Sequence, residues 1–360
     1  MSPHEPFHLL GATRDDLCAW LSAQGQPAYR ADQLLRWLYA SDAASFEAMA
    51  NLPKALRAAL AGRAVAYTTR AAATRTSADG TQKLLVALAD GEAVETVIVP
   101  EGQRRTVCVS TQVGCAIGCL FCASGADGLV RNLAPGEIVE QALHARRAMA
   151  PAHLSHLVVM GMGEPLMNLD ALLRALGVFT APWGLALSPR RITVSTVGLP
   201  EGIRRLAAEG PGVNLAVSLH AADDVTRERL VPHARPVAQV VAAARQYLRR
   251  TGREVTFECV LVAGANDSPA DARGLADAVG REPILVNLLP LNPAAGRGLE
   301  EPPPARVERF VAELRRRGVR VQVRRRRGAD IEGACGQLRR RAVSAAAGDS
   351  ATPGAAETCE

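Results

Sequence analysis

Six short runs rich in valine, isoleucine and leucine recur between residues 104 and 291, and they constrain the fold of this 360-residue chain more than any other feature. Longer stretches with helical patterning separate them, such as PGEIVEQALHARRAMA at 135–150 and DVTRERLVPHARPVAQVVAAARQYLRR at 224–250. Strands that alternate with helices predict parallel βαβ units. Six such units favour an open or partial barrel over a flat doubly wound sheet. The runs are RTVCVST, HLVVMGM, RITVSTV, VNLAVSL, VTFECVLV and PILVNLLPL.

Changes in patterning divide the chain into five predicted segments. The first carries apolar residues at three- and four-residue spacing in RADQLLRWLYA and DAASFEAMANLPKALRAALAG, which predicts helices. The second has two β-like runs around Asp90-Gly91, a hairpin signal, and the last is small, polar and aperiodic, as in disordered tails. The segments are a helical domain at 1–70, a β extension at 71–103, the barrel at 104–300, a helix, strand and loop at 301–341, and a tail at 342–360. The predicted fold class is α/β, a partial (β/α)6 barrel with an N-terminal helical domain and a small β extension.

Polar residues follow the predicted barrel strands at the positions where each strand ends. In βα barrels, catalytic and ligand-binding groups collect at this end of the sheet. Side chains from several strands are therefore expected on one rim, and this rim is the predicted site. They are Cys115, Gly163, Glu164, Ser195, Ser218, His220 and Asn292.

The stretch GCAIGCLFCASG places three cysteines, Cys115, Cys119 and Cys122, within eight positions. Such thiolates can hold zinc, hold an iron–sulfur cluster or bind nothing. Structural zinc requires a closed tetrahedral set, and the next histidine, His144, lies in a predicted helix without a paired ligand at a suitable spacing. A [4Fe–4S] cluster held by three thiolates keeps one iron open for another ligand. The spacing and its place after a barrel strand favour the cluster.

The N-terminal stretch MSPHEPFHLLGATRDDL lacks a basic start and an uninterrupted apolar run, so no signal peptide is expected. No segment is long and apolar enough to span a bilayer. Eight cysteines in such a chain indicate reduced, metal-binding or catalytic thiols rather than a disulfide framework. We therefore expect a cytoplasmic protein without a membrane contact.

Positive charge is concentrated near the C-terminus. The formal net charge is +6, and the segment LRRRGVRVQVRRRR at 314–327 holds eight arginines in fourteen residues. Arginine forks suit phosphate oxygens, so a nucleic-acid backbone is a natural partner. A solvated helix end followed by an edge strand is the alternative explanation, and charge alone does not decide between them.

Further motifs extend this pattern along most of the chain. Cys-x-x-x-Cys-x-x-Cys after the first strand of a βα barrel resembles the radical S-adenosylmethionine (SAM) enzymes. From about residue 8 to 340, the chain resembles the RlmN/Cfr family of RNA adenine methyltransferases within that superfamily. The motifs that carry the resemblance are YRADQLLRWLY, NLPKALR, VETVIVPE, CVSTQVGCAIGCLFCASG, VRNL, GMGEPL, RRITVST, SLHA, LNP and RGADIEGACGQL.

The resemblance implies one [4Fe–4S] cluster on the three cysteines and two SAM molecules per turnover. One SAM methylates the cysteine of the ACGQL motif, Cys335, and a radical from the second abstracts hydrogen from that methyl group. The methylene radical then adds to carbon 2 of an adenosine. Cys108 forms a disulfide with Cys335 and releases the base, and Glu95 corresponds to the base that removes the ring proton. On local pattern alone, Cys108 is a core residue, Cys335 an exposed thiol and Glu95 a salt-bridge partner.

The resemblance also implies SAM contacts and macromolecular partners. The substrates would be 23S rRNA, in the peptidyl-transferase centre, and tRNA, at the adenosine 3′ to the anticodon. A low-potential donor such as flavodoxin or ferredoxin would supply electrons, and the enzyme would act as a monomer. The residues matching SAM-contact positions are Gly163, Glu164, Ser195, Ser218, Leu219, His220 and Asn292.

Three alternatives stay open from the sequence. The first is the related carbon-8 adenosine methyltransferase, which uses the same cysteines. The second is a different radical SAM enzyme, for example one acting on a peptide, although such enzymes rarely need a methyl-carrying thiol. The third is a zinc-stabilised RNA-binding protein without catalysis, which would be colourless where a cluster protein is brown.

Overall fold

The computed structural model describes residues 6–43, 45–292 and 298–338. The strands are β1 (Phe7–His8), β2 (Ala64–Val65), β3 (Arg70–Thr76), β4 (Gln82–Ala87), β5 (Ala93–Glu101), β6 (Arg104–Cys108), β7 (Gln112–Gly114), β8 (Leu129–Asn132), β9 (His156–Val159), β10 (Ile192–Thr196), β11 (Asn214–Ser218), β12 (Val255–Val260), β13 (Leu285–Leu289) and β14 (Arg320–Val323). The α-helices are α1 (Arg14–Ser22), α2 (Tyr29–Leu35), α3 (Lys54–Arg63), α4 (Pro135–Ala148), α5 (Leu169–Thr180), α6 (Pro200–Glu209), α7 (Asp224–Leu230), α8 (Val237–Thr251), α9 (Pro269–Val279) and α10 (Pro304–Arg316).

One ten-stranded sheet organises the molecule, in the order β14-β13-β12-β11-β10-β9-β6-β5-β4-β3. Neighbouring strands from β6 to β14 along this order pair in parallel, and helices connect the strands from β9 onward. The predicted α/β partial barrel is therefore confirmed. β14 adds a seventh parallel strand beside β13, with Val286 opposite Val321.

The β extension continues the barrel sheet. β4 and β5 pair antiparallel on either side of Asp90-Gly91, which confirms the predicted hairpin. β5 then pairs antiparallel with β6, with Val97 opposite Cys108. Antiparallel neighbours need only a tight turn, so this short segment can extend the sheet without a crossover helix.

The barrel strands read as near-continuous aliphatic runs because both of their faces are covered. Leu157, Val194, Leu215 and Phe257 lie on four adjacent strands, and each is fully buried. Helix α6 packs its apolar stripe against α8, and α9 packs against α10. Aliphatic packing of this kind supplies most of the core in a chain with 4% aromatic residues.

Two helical predictions were too long. The stretch 42–62 forms a helix only in α3, because Asp42 has a φ of 51° and Pro53, just before α3, lacks an N–H for a preceding turn. Residue 44 lies outside the described part. The stretch 224–250 is two helices, α7 and α8, interrupted by a segment that contains Pro232 and Pro236.

The turn between β3 and β4 anchors the segment at residues 328–338, here called the Cys335 segment. Asp330 Oδ1 accepts a hydrogen bond from Ser77 Oγ at 2.6 Å, and Gly328 N donates to Asp79 Oδ2 at 3.0 Å. The predicted disordered tail lies outside the described residues. Within the described ranges, no helix has the length and apolar character needed to cross a membrane.

Candidate active site

The cysteine loop, residues 115–122, leaves the barrel after a short additional ribbon. The sequence placed Cys115 directly after the first barrel strand, β6, but β7 intervenes and pairs with β8. Cys115 N donates to Gly128 O at 3.0 Å, and Cys122 N to Cys119 O at 3.1 Å. The loop packs tightly against the turn that follows it, since a Cβ on Gly125 would lie 2.8 Å from Gly118 Cα.

In the described part of the chain, the three thiols of this loop are not in disulfide bonds, and they interact electrostatically. Burial, aided by the charges of Cys122 and Cys115, raises the pKa of Cys119 well above its ordinary value. Burial also raises the pKa of Cys115 to about 11. Thiols packed together in this way resist ionisation until a metal centre stabilises the thiolates.

The donor set fits an iron–sulfur cluster. In the described ranges, no three His, Cys, Asp or Glu side chains converge closely enough to share a single metal ion. Each thiolate of a cubane cluster bonds a different iron atom, so these ligands need not converge on one point. Three soft sulfur donors on a bent loop would hold such a cluster and leave one iron open.

Glu164 lies beside the cysteine loop, at the end of β9. Its carboxylate is buried, and it accepts hydrogen bonds from Val197 N at 2.8 Å and Leu166 N at 3.0 Å. Burial raises the pKa of Glu164, and its charge contributes to raising the pKa of the Cys119 thiol. Gly163 has a φ of +104°, and a Cβ there would lie 2.6 Å from Gln112 Cβ. The Gly163–Glu164 turn is thus closely fitted to the start of the cysteine loop.

The next predicted rim residues come from β10 and β11. Ser195 Oγ and Ser218 Oγ are 3.5 Å apart on these neighbouring strands. The Leu219 side chain is fully buried in the core, and its N–H donates to Glu258 O at 3.0 Å. The two hydroxyls thus lie together on the rim. Leu219 contributes its buried side chain to the core, and only its backbone groups could contact a ligand.

His220 connects this rim to the cysteine loop. Its ring centroid lies 4.5 Å from that of Phe121, and its Nδ1 accepts from Val260 N at 3.2 Å. Burial, together with the charge of Arg227, lowers the pKa of His220 to about 3. The imidazole is therefore neutral at physiological pH, and Nε2 carries its proton.

The Cys335 segment docks directly on the cysteine loop and on the rim. Asn292 Nδ2 donates to Cys335 O at 2.9 Å. Ala123 N donates to Gly336 O at 2.7 Å, and Ser124 Oγ to Leu338 O at 2.6 Å. The Cys335 segment therefore packs against the side of the cysteine loop, although the two are far apart in the sequence.

Cys335 is solvent-exposed, although protein surrounds it closely enough to raise the pKa of its thiol by desolvation. The charges of Glu258 and Cys122 raise this pKa further, and that of Arg324 lowers it. Burial raises the pKa of Cys108, in β6, to about 12, with a contribution from Cys335. Both thiols are free, and the fold places them within electrostatic range of each other.

Glu95, in β5, forms a buried ion pair, which agrees with the local-pattern interpretation of this residue as a salt-bridge partner. Lys83 Nζ lies 2.8 Å from Glu95 Oε1, and both side chains are at most 5% exposed. The same ammonium donates to Glu332 O at 3.1 Å, in the Cys335 segment. Lys83 therefore links the carboxylate to the segment that carries Cys335.

Sequence reasoning also missed Arg227 and Glu258, which are buried near this site. Glu258, in β12, accepts from Asn287 Nδ2 at 2.9 Å and from Thr256 Oγ1 at 2.7 Å. Lys83 and Glu258 are charged residues within otherwise aliphatic strands, and this pattern could have indicated that they are functional. Arg227 lies in the mixed stretch TRERL, where no pattern distinguishes it.

The arginine tract divides into paired and unpaired side chains. Arg316 and Arg317 bind Glu313 at 2.7 and 3.0 Å, so they stabilise the end of α10. Arg326 pairs with Glu301 at 2.5 Å. Within the described ranges, Arg315, Arg324 and Arg325 have no ion pair. Arg324 and Arg325 follow β14 and lead into the Cys335 segment.

Known proteins resemble the chain along nearly its whole length. Residues 7–66 match the ribosomal RNA large subunit methyltransferase N-terminal domain, and residues 109–275 match the radical SAM superfamily. The "Probable dual-specificity RNA methyltransferase RlmN" of Rhodopirellula baltica is 49% identical over 92% of this chain and 91% of its own length. The protein of the same name from Thermosynechococcus vestitus is 45% identical, over 92% and 98%.

A solved structure agrees with these sequences. A radical SAM methyltransferase from Sphaerobacter thermophilus superposes with a TM-score of 0.89 at 46% identity, covering 92% of this chain and 99% of that one. Identity at this level over most of both chains establishes common membership. The chain belongs to the RlmN family of dual-specificity RNA methyltransferases, within the radical SAM superfamily.

Proposed function

We propose that this enzyme methylates carbon 2 of an adenosine in 23S rRNA, in the peptidyl-transferase centre, and of the adenosine 3′ to the anticodon in tRNA. The family supports the reaction class. The observation that carries the proposal is the docking of the Cys335 segment on the cysteine loop, through Asn292 and Ala123. That arrangement brings a methyl-accepting thiol beside the predicted cofactor site.

Cys115, Cys119 and Cys122 would hold one [4Fe–4S] cluster. When bound, the cluster and two SAM molecules per turnover supply the methyl group and the radical chemistry that attacks an unactivated ring carbon. Glu164 and the backbone at Gly163 would receive the methionine ammonium group of SAM. Ser195, Ser218, Leu219, His220 and Asn292 would form the remainder of its binding surface. Hydroxyl, imidazole and amide groups suit its carboxylate, ribose and adenine.

Cys335 and Cys108 would have different roles in the reaction. Cys335 Sγ accepts the methyl group and carries it to the base, which fits its exposure at the surface of the site. Glu95 accepts the ring proton, and the ammonium of Lys83, 2.8 Å away, holds the carboxylate in place. Cys108 gives up its thiol proton and bonds Cys335 Sγ as the bond from that sulfur to the transferred carbon breaks. The proton completes the methyl group, and the methylated base is released. The low ionisation of Cys108 keeps it from reacting early, since the thiolate is the nucleophile.

RNA would reach the site along the C-terminal arginines. Arg324 and Arg325 are exposed, without ion pairs in the described ranges, and lie beside the Cys335 segment. The target adenosine must leave its stack to meet a carbon held on a cysteine. We further propose that residues 1–70 form a second RNA contact and that the domain boundaries follow the predicted segments. We also propose that the enzyme is a cytoplasmic monomer and that flavodoxin or ferredoxin supplies its electrons.

Nucleoside mass spectrometry of RNA from a host lacking its own enzyme tests the proposal. The host expresses the intact chain, Cys335→Ala or the control Cys18→Ala, a thiol that contacts Ala28 O at 3.8 Å in the N-terminal region. We expect 2-methyladenosine with the intact chain and the control, and none with Cys335→Ala. The RNA fraction that contains it identifies the substrate.

The same experiment separates the alternatives. Appearance of 8-methyladenosine would show the related carbon-8 activity and refute the proposed position. Absence of both products from soluble, brown protein would refute the methyl-transfer proposal. Colourless protein that contains zinc after anaerobic purification would favour an RNA-binding role, and Cys119→Ala should remove the brown colour of a cluster.

A further inference from the structure

Arg227, in α7, is a buried cation that is 1% exposed. Its guanidinium donates to four backbone carbonyls: Ser218 O at 3.1 Å, Arg235 O at 3.3 Å, and the carbonyls of Leu219 and Val197. Among the described residues, no carboxylate lies within ion-pair distance of it. Burial lowers the pKa of Arg227 to about 10, so it remains charged at physiological pH.

An isolated buried charge is costly, and carbonyl dipoles offset only part of that cost. Proteins retain such a charge where another charge compensates it. Asp224 has a weak electrostatic effect on Arg227, but its carboxylate caps α8 by accepting from Val237 N at 2.7 Å. The compensation must therefore come chiefly from elsewhere.

The cysteine loop is the neighbour that would carry the opposite charge when its thiols bind the cluster as thiolates. Leu120 N donates to Leu230 O at 3.0 Å, which joins this loop to the end of α7. Val197, whose carbonyl binds Arg227, shares one apolar cluster with Cys119 and Phe121. Cys119, a predicted cluster ligand, is close enough for a thiolate there to act electrostatically on the guanidinium. Arg227 thus lies beside the loop, and four of its five N–H donors bind backbone carbonyls.

We propose that Arg227 is the buried counter-charge of the iron–sulfur cluster. Three thiolates give the oxidised cluster a net negative charge, and one electron from an external reductant increases that charge. A fixed cation in a region of low dielectric stabilises both states, and the reduced state more strongly. Arg227 therefore raises the reduction potential and helps to retain the cluster. This inference rests on the family's cluster and not on the roles proposed for Cys335 or the RNA.

The test is an anaerobic redox titration of the cluster-loaded full chain without RNA, followed by electron paramagnetic resonance. In Arg227→Gln, we expect the ratio of reduced to oxidised cluster, at the wild-type midpoint, to fall about tenfold, or about 59 mV for one electron. Iron should also be lost faster to a chelator. Arg227→Lys keeps the charge and should stay near wild type. Arg245→Gln is the control, since Arg245 binds the Ala278 carbonyl at 3.0 Å on the outer helices.

Two results would overturn the proposal. One is an unchanged potential in Arg227→Gln. The other is an equal shift in Arg227→Lys, because Arg227 would then act only by holding the strand ends. Should Arg227→Gln fail to fold, Arg227→Met provides a second measurement, since its apolar side chain removes the charge without placing a new polar group in the buried site. The potential should again fall, and an unchanged potential in this variant would refute the counter-charge role.

Discussion

The Lys83–Glu95 ion pair is the residue-scale feature that most affects both stability and chemistry. Two opposite charges lie 2.8 Å apart, and neither side chain is more than 5% exposed. Such a pair gains little over an apolar pair of similar size, but removing one member leaves a buried charge without compensation. Its contribution to this enzyme therefore lies in holding the Glu95 carboxylate in place and, through Lys83, in linking it to the Cys335 segment.

Lys83→Met should destabilise the protein by about 3 to 5 kcal/mol, because Glu95 then loses its buried partner. RNA methylation should be lost as well. The double variant Lys83→Met/Glu95→Leu should recover most of the stability without recovering methylation. Anaerobic urea titration followed by circular dichroism measures the first effect, and nucleoside analysis the second. A single variant as stable as wild type would show that the pair is not energetically coupled.

Gly163→Ala should weaken SAM binding about tenfold, which is about 1.4 kcal/mol. A φ of +104° strains any side chain, and the new Cβ would lie 2.6 Å from Gln112 Cβ. Isothermal titration calorimetry with SAM measures the loss. Gly62→Ala is the matched control, because Gly62 lies in α3 with open space around it. It should leave SAM affinity unchanged, and equal losses in both variants would contradict the expectation.

At the scale of elements, α4 fastens the N-terminal segment to the barrel through Glu140. This fully buried carboxylate accepts from Thr68 N at 2.9 Å and Thr69 N at 2.7 Å, and lies 2.7 Å from His8 Nε2. Desolvation would raise the pKa of Glu140, but His8 and these donors outweigh it and lower the pKa below 4.5. Glu140 therefore serves as a structural anchor.

Glu140→Gln should cost about 3 kcal/mol at neutral pH, because buried donors lose a charged acceptor. The folded-state pKa is depressed, so this contribution is present above the ordinary value of 4.5 and is lost as the pH falls through the folded-state value. The difference between wild type and variant, measured by urea titration, should thus shrink on acidification. A difference that stays constant across this range would contradict the assignment.

Some elements follow from sequence pattern and others do not. Asp90-Gly91 predicts its hairpin because the turn residues satisfy a local backbone requirement. The apolar spacing at 42–53 resembles a helix, yet Asp42 and Pro53 interrupt it. Periodicity reports only which side chains are buried, and a packed loop also buries apolar residues.

At the scale of the whole molecule, unpaired arginines beside the site predict salt-sensitive RNA binding. Arg324→Ala/Arg325→Ala should weaken RNA binding and reduce the dependence of log affinity on log salt by about 0.7 to 0.9 per lost phosphate contact. Fluorescence anisotropy with a labelled RNA at several salt concentrations measures both. Arg204→Ala is the control, since Arg204 pairs with Glu201 on α6. Equal salt slopes in the three proteins would place the RNA contact elsewhere.

The sequence by itself determined the parallel barrel, the cysteine loop and the family, because each depends on short-range patterns of burial, turn chemistry and ligand spacing. Only the tertiary structure decided which distant groups meet. Ser124 binds Leu338 across 214 positions, and Lys83 reaches the carbonyl of Glu332 across 249. Such contacts arise when the sheet curves and the Cys335 segment folds back over it. No local pattern encodes them, because the free energy that selects them belongs to the packed molecule as a whole.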